Sequence, residues 1–285
     1  MAHLKRLKVP LTWPMSRKAE KFAVTPSPGP HPKMHCMPLR VILRDLLGYA
    51  DNAKEASQIL NQGKVLVDKK ARKDSRFPVG LMDVVEIPDA RRQFRMMATK
   101  SGLQLQDIPE AESSSKTCKI TGKTTLRKGV TQLNLHDGRN LILKKDTYRV
   151  GDSITISLPE QKVLKHHKLE KGAPCFVTAG RNIGIHGKVK DIEEKKHMLE
   201  KSTVTLDTGE GDIKTLREYI FIADSGKAAK PPAKPSKEDK RTETKPKETP
   251  RLSKEKPTPR GTSKTKKSKP SGKGTLKGTS KEGKR

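Results

Sequence analysis

Aromatic side chains are scarce in this chain: one Trp, three Tyr and five Phe make up 3% of its 285 residues. That excludes one large aromatic-filled core, and the roughly 225 residues available for folded structure point instead to several small ones. Cysteine is nearly as rare. Cys36, Cys118 and Cys175 are the only three, far apart and without a C-x-x-C pair, so neither a zinc ribbon nor a disulfide framework is expected and the thiols read as reduced and structural. Long apolar runs are missing too. None approaches the roughly 18 residues that span a bilayer, and the charges of MAHLKRLKVP are not followed by a long apolar stretch. No membrane contact is expected, and the chain reads as soluble and cytoplasmic.

Acidic residues are also in short supply, 32 against 62 Lys and Arg, for a formal charge of +30. A polyanionic partner is the first expectation from such an excess. The charge is spread unevenly. Residues 226–285 hold 21 basic and 6 acidic residues, a net +15, and the remaining +15 lies in the first 225. The segment 225–285 is built from Lys, Pro, Ser, Thr and Gly, with only Leu252 and Leu276 as sizeable apolar groups. It buries too little to offset the entropy of ordering and is expected to be a disordered basic tail.

The chain begins with residues 1–38, where seven prolines from Pro10 to Pro38 alternate with basic residues and the single Trp13. No helical or strand period runs through them. This is an extended basic segment that needs a surface to lie on, and docking on a partner is the favoured reading. At Leu39 the pattern changes: Leu39, Ile42, Leu43, Leu46 and Leu47 share one helical face, with Arg40 and Arg44 on another. Gly48 stops that helix. Asn52 with Glu55 is an Asn-capped analogue of a capping box, opening a second helix that buries Ala53, Ala56, Ile59 and Leu60 and ends at Gly63. Two strand-like runs follow, 64–67 and 83–87, around a turn crowded with Lys69, Lys70, Arg72, Lys73 and Arg76. Helix arginines and turn lysines thus share one module with a basic rim.

Short alternating runs then suggest a β domain over 91–170, with Asp137-Gly138 between Leu133/Leu135 and Leu141/Leu143 as a hairpin turn. Val150, Ile154, Ile156 and Leu158 continue it, and EQKVLKHHKLEKG reads as a linker. A second small β domain over 171–224 includes FVTAGRNIGIHGKV, in which Gly180, Gly184 and Gly187 invite comparison with a phosphate loop. That comparison fails. Gly187-Lys188 is followed by Val189 rather than Ser or Thr, and strand-like residues lie on both sides where a dinucleotide loop would open a helix. Glycines inside a β run mark bends or close approach of another backbone. His166-His167 has no Cys or carboxylate at ligand spacing, and no H-E-x-x-H or G-x-S-x-G is present. No catalytic residue, metal site or cofactor is expected.

Several motifs in one order carry a closer resemblance: HLKRL-x-x-P-x-x-WP, PSPGPH, PLRVILRDLLGYADNAKEASQIL, NQGKVLVD, KDSRFPVGLMDVVEIP and VTAGRNIGIHGKV. Together, over roughly residues 3–224, they resemble the ribosomal protein S4e family of archaeal and eukaryotic small ribosomal subunits. The short start before His3 is closer to archaeal members. The resemblance implies a multi-domain α+β fold: an extended N-terminal segment (1–38), a helix-hairpin (alpha-L) RNA-binding domain of S4 type (39–90), a central β domain (91–170) and an SH3-like KOW β-barrel (171–224). It implies RNA-facing roles for Arg40, Arg44, Lys54, Lys64, Lys69 and Arg72. Lys73 joins them from the basic rim. Lys5, Arg6, Trp13, Arg17, Lys18 and His31 are the candidates of the leader, with Trp13, Phe22 and His31 placed to stack or pack as it threads between RNA helices. Arg181, Asn182, His186 and Lys188 are those of the glycine-bent turn.

Two departures stand out. Ala179 occupies a position where the family commonly has glycine, and the tail runs past the family's usual end. The expected function is that of a structural constituent of the small subunit, bound to its rRNA and to neighbouring ribosomal proteins, without self-association. Phosphate contacts would supply most of the affinity and RNA shape the specificity. Two alternatives remain beside it. One is an RNA-modifying enzyme, since the same module accompanies pseudouridine synthases, with Asp137 of HDGR as the nearest equivalent of their catalytic Asp. The other is a general nucleic-acid-condensing protein, suggested by the tail's composition.

Overall fold

Two helical segments and a run of antiparallel strands take their order directly from the apolar pattern. The computed structural model describes residues 3–143, 147–195, 200–209 and 211–223; the expected disordered tail lies outside the described residues. Pro38 leads into a helical turn, Leu39–Val41, which continues as a π-helix over Ile42–Leu46 with Leu47 N donating to Ile42 O at 3.0 Å. The i→i+5 winding is not announced by any residue type. Gly48, at φ +65°, ends it. The Ala53–Asn61 helix then carries the expected capping box, in which Glu55 accepts from Asn52 N, and Gly63 follows at φ +75°. Leu39, Ile42, Leu43 and Leu60 are fully buried, with Ile59, Leu46 and Leu47 packed on the same core.

That core is roofed by a five-stranded antiparallel sheet in the order Lys70–Ala71, Leu66–Val67, Val84–Ile87, Arg92–Thr99, Gly102–Asp107. Asp68 and Lys69 both have positive φ, 50° and 64°, and join the first two strands as a two-residue turn of the primed kind. The expected boundary at residue 91 is not a break in hydrogen bonding, because Val84–Ile87 pairs directly with the start of Arg92–Thr99.

The leader docks on this same core. Leu4, Val9 and Trp13 belong to it, and Trp13 is 2% exposed with its indole N–H donating to Cys36 O at 2.7 Å. Truncating a buried Trp costs about 3–5 kcal/mol, so the segment is held by its own chain. A short antiparallel pair, Leu4–Lys5 with Phe22–Ala23, folds it back on itself.

The second sheet orders Asn140–Leu143, Thr131–Leu135, Ser115–Thr125, Ser153–Ser157 and Val163–His167, all antiparallel. The Asp137-Gly138 hairpin forms as read, with Gly138 at φ +74°. Alternation in Thr131–Leu135 buries Thr131, Leu133 and Leu135. The stretch expected as a linker contains the edge strand Val163–His167, which pairs with Ser153–Ser157. The third sheet, a half-barrel, orders Asp212–Leu216, Thr203–Asp207, His186–Glu193, Pro174–Val177 and Ile220–Ile222, where Ile220–Ile222, the last of these in the chain, returns to pair with Pro174–Val177, the first of these in the chain.

Among the described residues, three kinds of contact hold the sheets together. Met82 and Met97 of the first pack on Phe176 and Phe221 of the third, whose rings lie 5.1 Å apart. Lys119 of the second sheet donates to the carbonyls of Arg217, Glu218 and Ile220 at 3.1, 2.8 and 2.7 Å. Burial, with Arg217 nearby, pushes its ammonium down to about 8. The third tie is a buried charge network centred on Lys116.

Candidate nucleic-acid interface

The Ala53–Asn61 helix turns Ala56 and Leu60 into the core and leaves Lys54, Ser57, Gln58, Asn61 and Gln62 on its outer side. The spacing of these residues, i, i+3, i+4, i+7 and i+8, is one helical face. With Arg40 they line an open groove of about 590 Å³. Among the described residues, the Arg40 guanidinium donates to the hydroxyls of Ser57 and Ser75, at 3.2 and 3.0 Å, and its buried Nε finds no acceptor. Burial, then the neighbouring Arg76 and Arg44, lower its pKa, while Asp74 acts the other way. An anion seated in the groove would relieve the crowding of like charge.

The other expected cations fall into two groups. Lys54 and Lys73 are exposed on this module, and Arg72 lies over the Phe77 ring at 4.4 Å with its Nε likewise lacking an acceptor among the described residues. Lys5, Lys18, Arg181 and Lys188 are exposed on other elements. The second group is engaged within the protein. Lys64 pairs with Asp89 at 2.9 Å, Lys69 with Glu86 at 2.8 Å, and Arg44 with Asp45 at 3.1 Å and Glu20 at 3.7 Å. Arg6 is buried between Glu20 and Asp45, and Arg17 donates to Val9 O at 3.2 Å.

Trp13 and His31 are interior residues rather than surface rings, a correction to their expected place against a partner. His31 is 6% exposed, donates to the Asp83 carboxylate at 2.9 Å, and lies where a side chain on Gly80 would stand. Arg6 is corrected likewise, its charge already matched inside the fold. In the glycine-bent turn, Asn182 and His186 are half-buried, and His186 packs on Phe176 with ring centroids 5.7 Å apart. Burial lowers the His186 pKa. A side chain on Gly184 would come within 2.7 Å of Thr99 Cα, and one on Gly187 within 2.6 Å of Asp207 O. These glycines admit the protein's own backbone, which accounts for them without an RNA strand.

Missed by sequence reasoning as site residues were Gln58, Asn61 and Gln62, although the helical face through Lys54 would have found them. The Lys116 network was also missed. Lys116 is 1% exposed, forms an ion pair with Asp83, and meets Asp68 at 2.9 Å and Asp137 at 3.0 Å. Arg139 reaches Asp68 and Asp137 from the rim. Burial would raise the Asp83 carboxyl, but Lys116 and His31 hold it well below the usual range; Asp68 is pushed up by burial and by Asp83. Asp137, the candidate catalytic residue of the enzyme reading, is thus 2% exposed and salt-bridged on both sides.

Cys118, His136 and Asp137 place potential ligand atoms within 4.8 Å of one another. Both imidazole nitrogens of His136 are engaged, Nδ1 accepting from Lys119 N at 3.1 Å and Nε2 facing Leu81 O at 3.2 Å. Burial raises the Cys118 thiol well above its ordinary value, and Lys116 already supplies the cation beside Asp137. The residues do not fit a metal.

A basic groove lined by Arg40 and Lys54 is thus set on a helical hairpin that packs on the first of three five-stranded antiparallel sheets. Comparison with known proteins defines the class. The RS4NT (NUC023) domain matches residues 2–34, the S4 domain residues 37–85, and the ribosomal family S4e residues 90–163. The small ribosomal subunit protein eS4 of Methanococcus aeolicus is 43% identical over 235 residues, covering 79% of this chain and 95% of that protein. Its counterpart in Methanothermobacter thermautotrophicus is 46% identical over 222 residues, 77% and 91% of the two chains. The crystal structure of 30S ribosomal protein S4e from Thermoplasma acidophilum superposes with a TM-score of 0.59 at 30% identity, covering 66% of this chain and 94% of that one. The chain belongs to ribosomal family S4e.

Proposed function

We propose that the protein is a structural constituent of the small ribosomal subunit, bound in the cytoplasm to its rRNA and to neighbouring ribosomal proteins. The names of its relatives support the subunit, and the Arg40 groove supports the RNA. In this reading residues 39–90 act as the S4-type RNA-binding module, 91–170 as the central β domain and 171–224 as an SH3-like KOW barrel. The half-barrel's strand order agrees with the last assignment.

The observation that carries the reading is the Arg40 guanidinium, crowded by Arg44 and Arg76 and short of an acceptor. Phosphate oxygens relieve that crowding, and Lys54, Gln58 and Asn61 extend the contact along the groove. Each neutralised phosphate releases counterions, so affinity falls steeply with salt. Filter binding of a small-subunit rRNA fragment across about 50 to about 500 mM salt tests this, and Arg40→Ala should lower the log–log slope by about 1. Affinity that ignores salt, or a slope unchanged in Arg40→Ala, would refute the groove.

A further inference from the structure

Of the five phenylalanines, Phe94, Phe176 and Phe221 are buried and Phe77 is half-buried beneath Arg72; Phe22 alone is exposed, at 46%. Its exposure is built in. Strand alternation turns Ala23 toward the core that Leu4, Val9 and Trp13 share and so turns Phe22 outward. The strand is fixed by its pairing with Leu4–Lys5 and by Arg6 N donating to Lys21 O at 3.0 Å.

The surroundings of the ring are cationic. Exposed Lys5 is its cross-strand partner, Lys21 Nζ lies 5.6 Å from the ring centroid, and the His3 ring stands 5.4 Å away at 46°. An apolar protein partner would have to desolvate those ammonium groups. A ligand that pairs a flat, unsaturated ring with a phosphate meets every group present, because the base stacks on Phe22 while the lysines take the phosphate.

We propose that Phe22, with Lys5 and Lys21, is a stacking platform for an unpaired RNA base, separate from the groove at Arg40. The proposal rests on the RNA-binding reading and adds to it a single-stranded feature. Stacking on an aromatic ring tolerates any base, so the platform selects unpaired RNA over duplex without selecting sequence.

The test uses the full-length protein with two probes, an octa-adenylate RNA and the same sugar-phosphate octamer lacking bases. Phe22→Ala should weaken octa-adenylate binding roughly 5- to 100-fold and leave the abasic octamer unchanged. Phe22→Trp should keep the affinity, and Phe22→Leu, which fills the same surface without a π face, should behave like Phe22→Ala. Equal losses on both probes, or a Leu variant that binds like wild type, would overturn the platform. Unchanged RNA binding in Phe22→Ala would also overturn it and leave the ring to a protein contact. Arg40→Ala on the rRNA fragment runs in parallel, so failure of the groove and failure of the platform are read separately.

Discussion

Replacing Lys116 by Met keeps an unbranched side chain of similar length and removes the charge that three buried carboxylates share. In the native protein Asp68, Asp83 and Asp137 all contact the Lys116 ammonium, which is 1% exposed. Removing one partner of a buried ion pair typically costs about 3–5 kcal/mol. Arg139 still reaches Asp68 and Asp137, and His31 still reaches Asp83, which places the expected loss near the low end, about 3 kcal/mol. A stability of about 5–15 kcal/mol survives that, so the variant should fold.

The pH dependence gives the sharper test. Burial opposes ionisation of Asp83 and Asp137, yet Lys116 holds both below the usual range. Groups lowered in this way contribute stability above the unfolded value of about 3.9, and lose it as pH falls through their folded values. Without Lys116, burial prevails and the folded values rise. Groups raised in this way contribute fully only below about 3.9 and lose their contribution as pH rises. The gap between wild type and Lys116→Met should therefore be widest near neutrality and narrow toward about pH 4.5. Urea unfolding followed by circular dichroism at both pH values measures it. A gap below about 1 kcal/mol at pH 7, or one equal at both pH values, would refute the reasoning.

Two glycines and His136 make the packing between elements measurable. Gly63 and Gly184 both sit at positive φ, +75° and +78°, but only Gly184 faces backbone, that of Thr99 and Lys100. Gly63→Ala should cost about 1 kcal/mol and Gly184→Ala at least about 1 kcal/mol more; equal shifts in thermal melts would deny the contact between the glycine-bent turn and the first sheet. Burial, and then Lys116, push His136 down to about 4. A group lowered in the folded state contributes stability above its unfolded value of about 6.5 and loses it as pH falls toward the folded one. NMR should find its imidazole neutral and not titrating between about pH 5.5 and 8, whereas a midpoint near 6.5 would place it in solvent.

Local signals were legible wherever one residue decides the outcome. Gly48 and Gly63 ended helices, Asn52 and Glu55 formed the cap, and Asp137-Gly138 turned the hairpin. The strand Val163–His167 was not legible, because an exposed edge strand with polar residues on both faces loses the alternation that marks a half-buried one. The leader asked for a surface, but nothing local says that the surface belongs to the same chain. Site cations suffered from the same blindness to distant partners. Arg6 with Asp45, Lys64 with Asp89 and Lys69 with Glu86 are separated in sequence and look like free surface charges until the fold brings the carboxylates in. Lys116 is the extreme case, since a lysine is rarely fully buried unless paired.

That lysine stands where the leader, the first sheet and the second sheet meet. Each of three sheets closes on its own core, the first around Trp13 and Phe94, and an apolar joint of Met82, Met97, Phe176 and Phe221 ties the first to the third. The Lys116 joint draws His31 from the leader, Asp68 and Asp83 from the first sheet's turns, and Asp137 and Arg139 from the second sheet's hairpin. Apolar contacts tolerate sliding, whereas a lysine shared by three carboxylates is satisfied in one arrangement only, and a shift of an ångström or two leaves buried charge unpaired. The joint therefore fixes orientation more than it adds stability. The proposed binding to rRNA needs that property, because cations on separate elements match phosphate spacing only if the elements hold still.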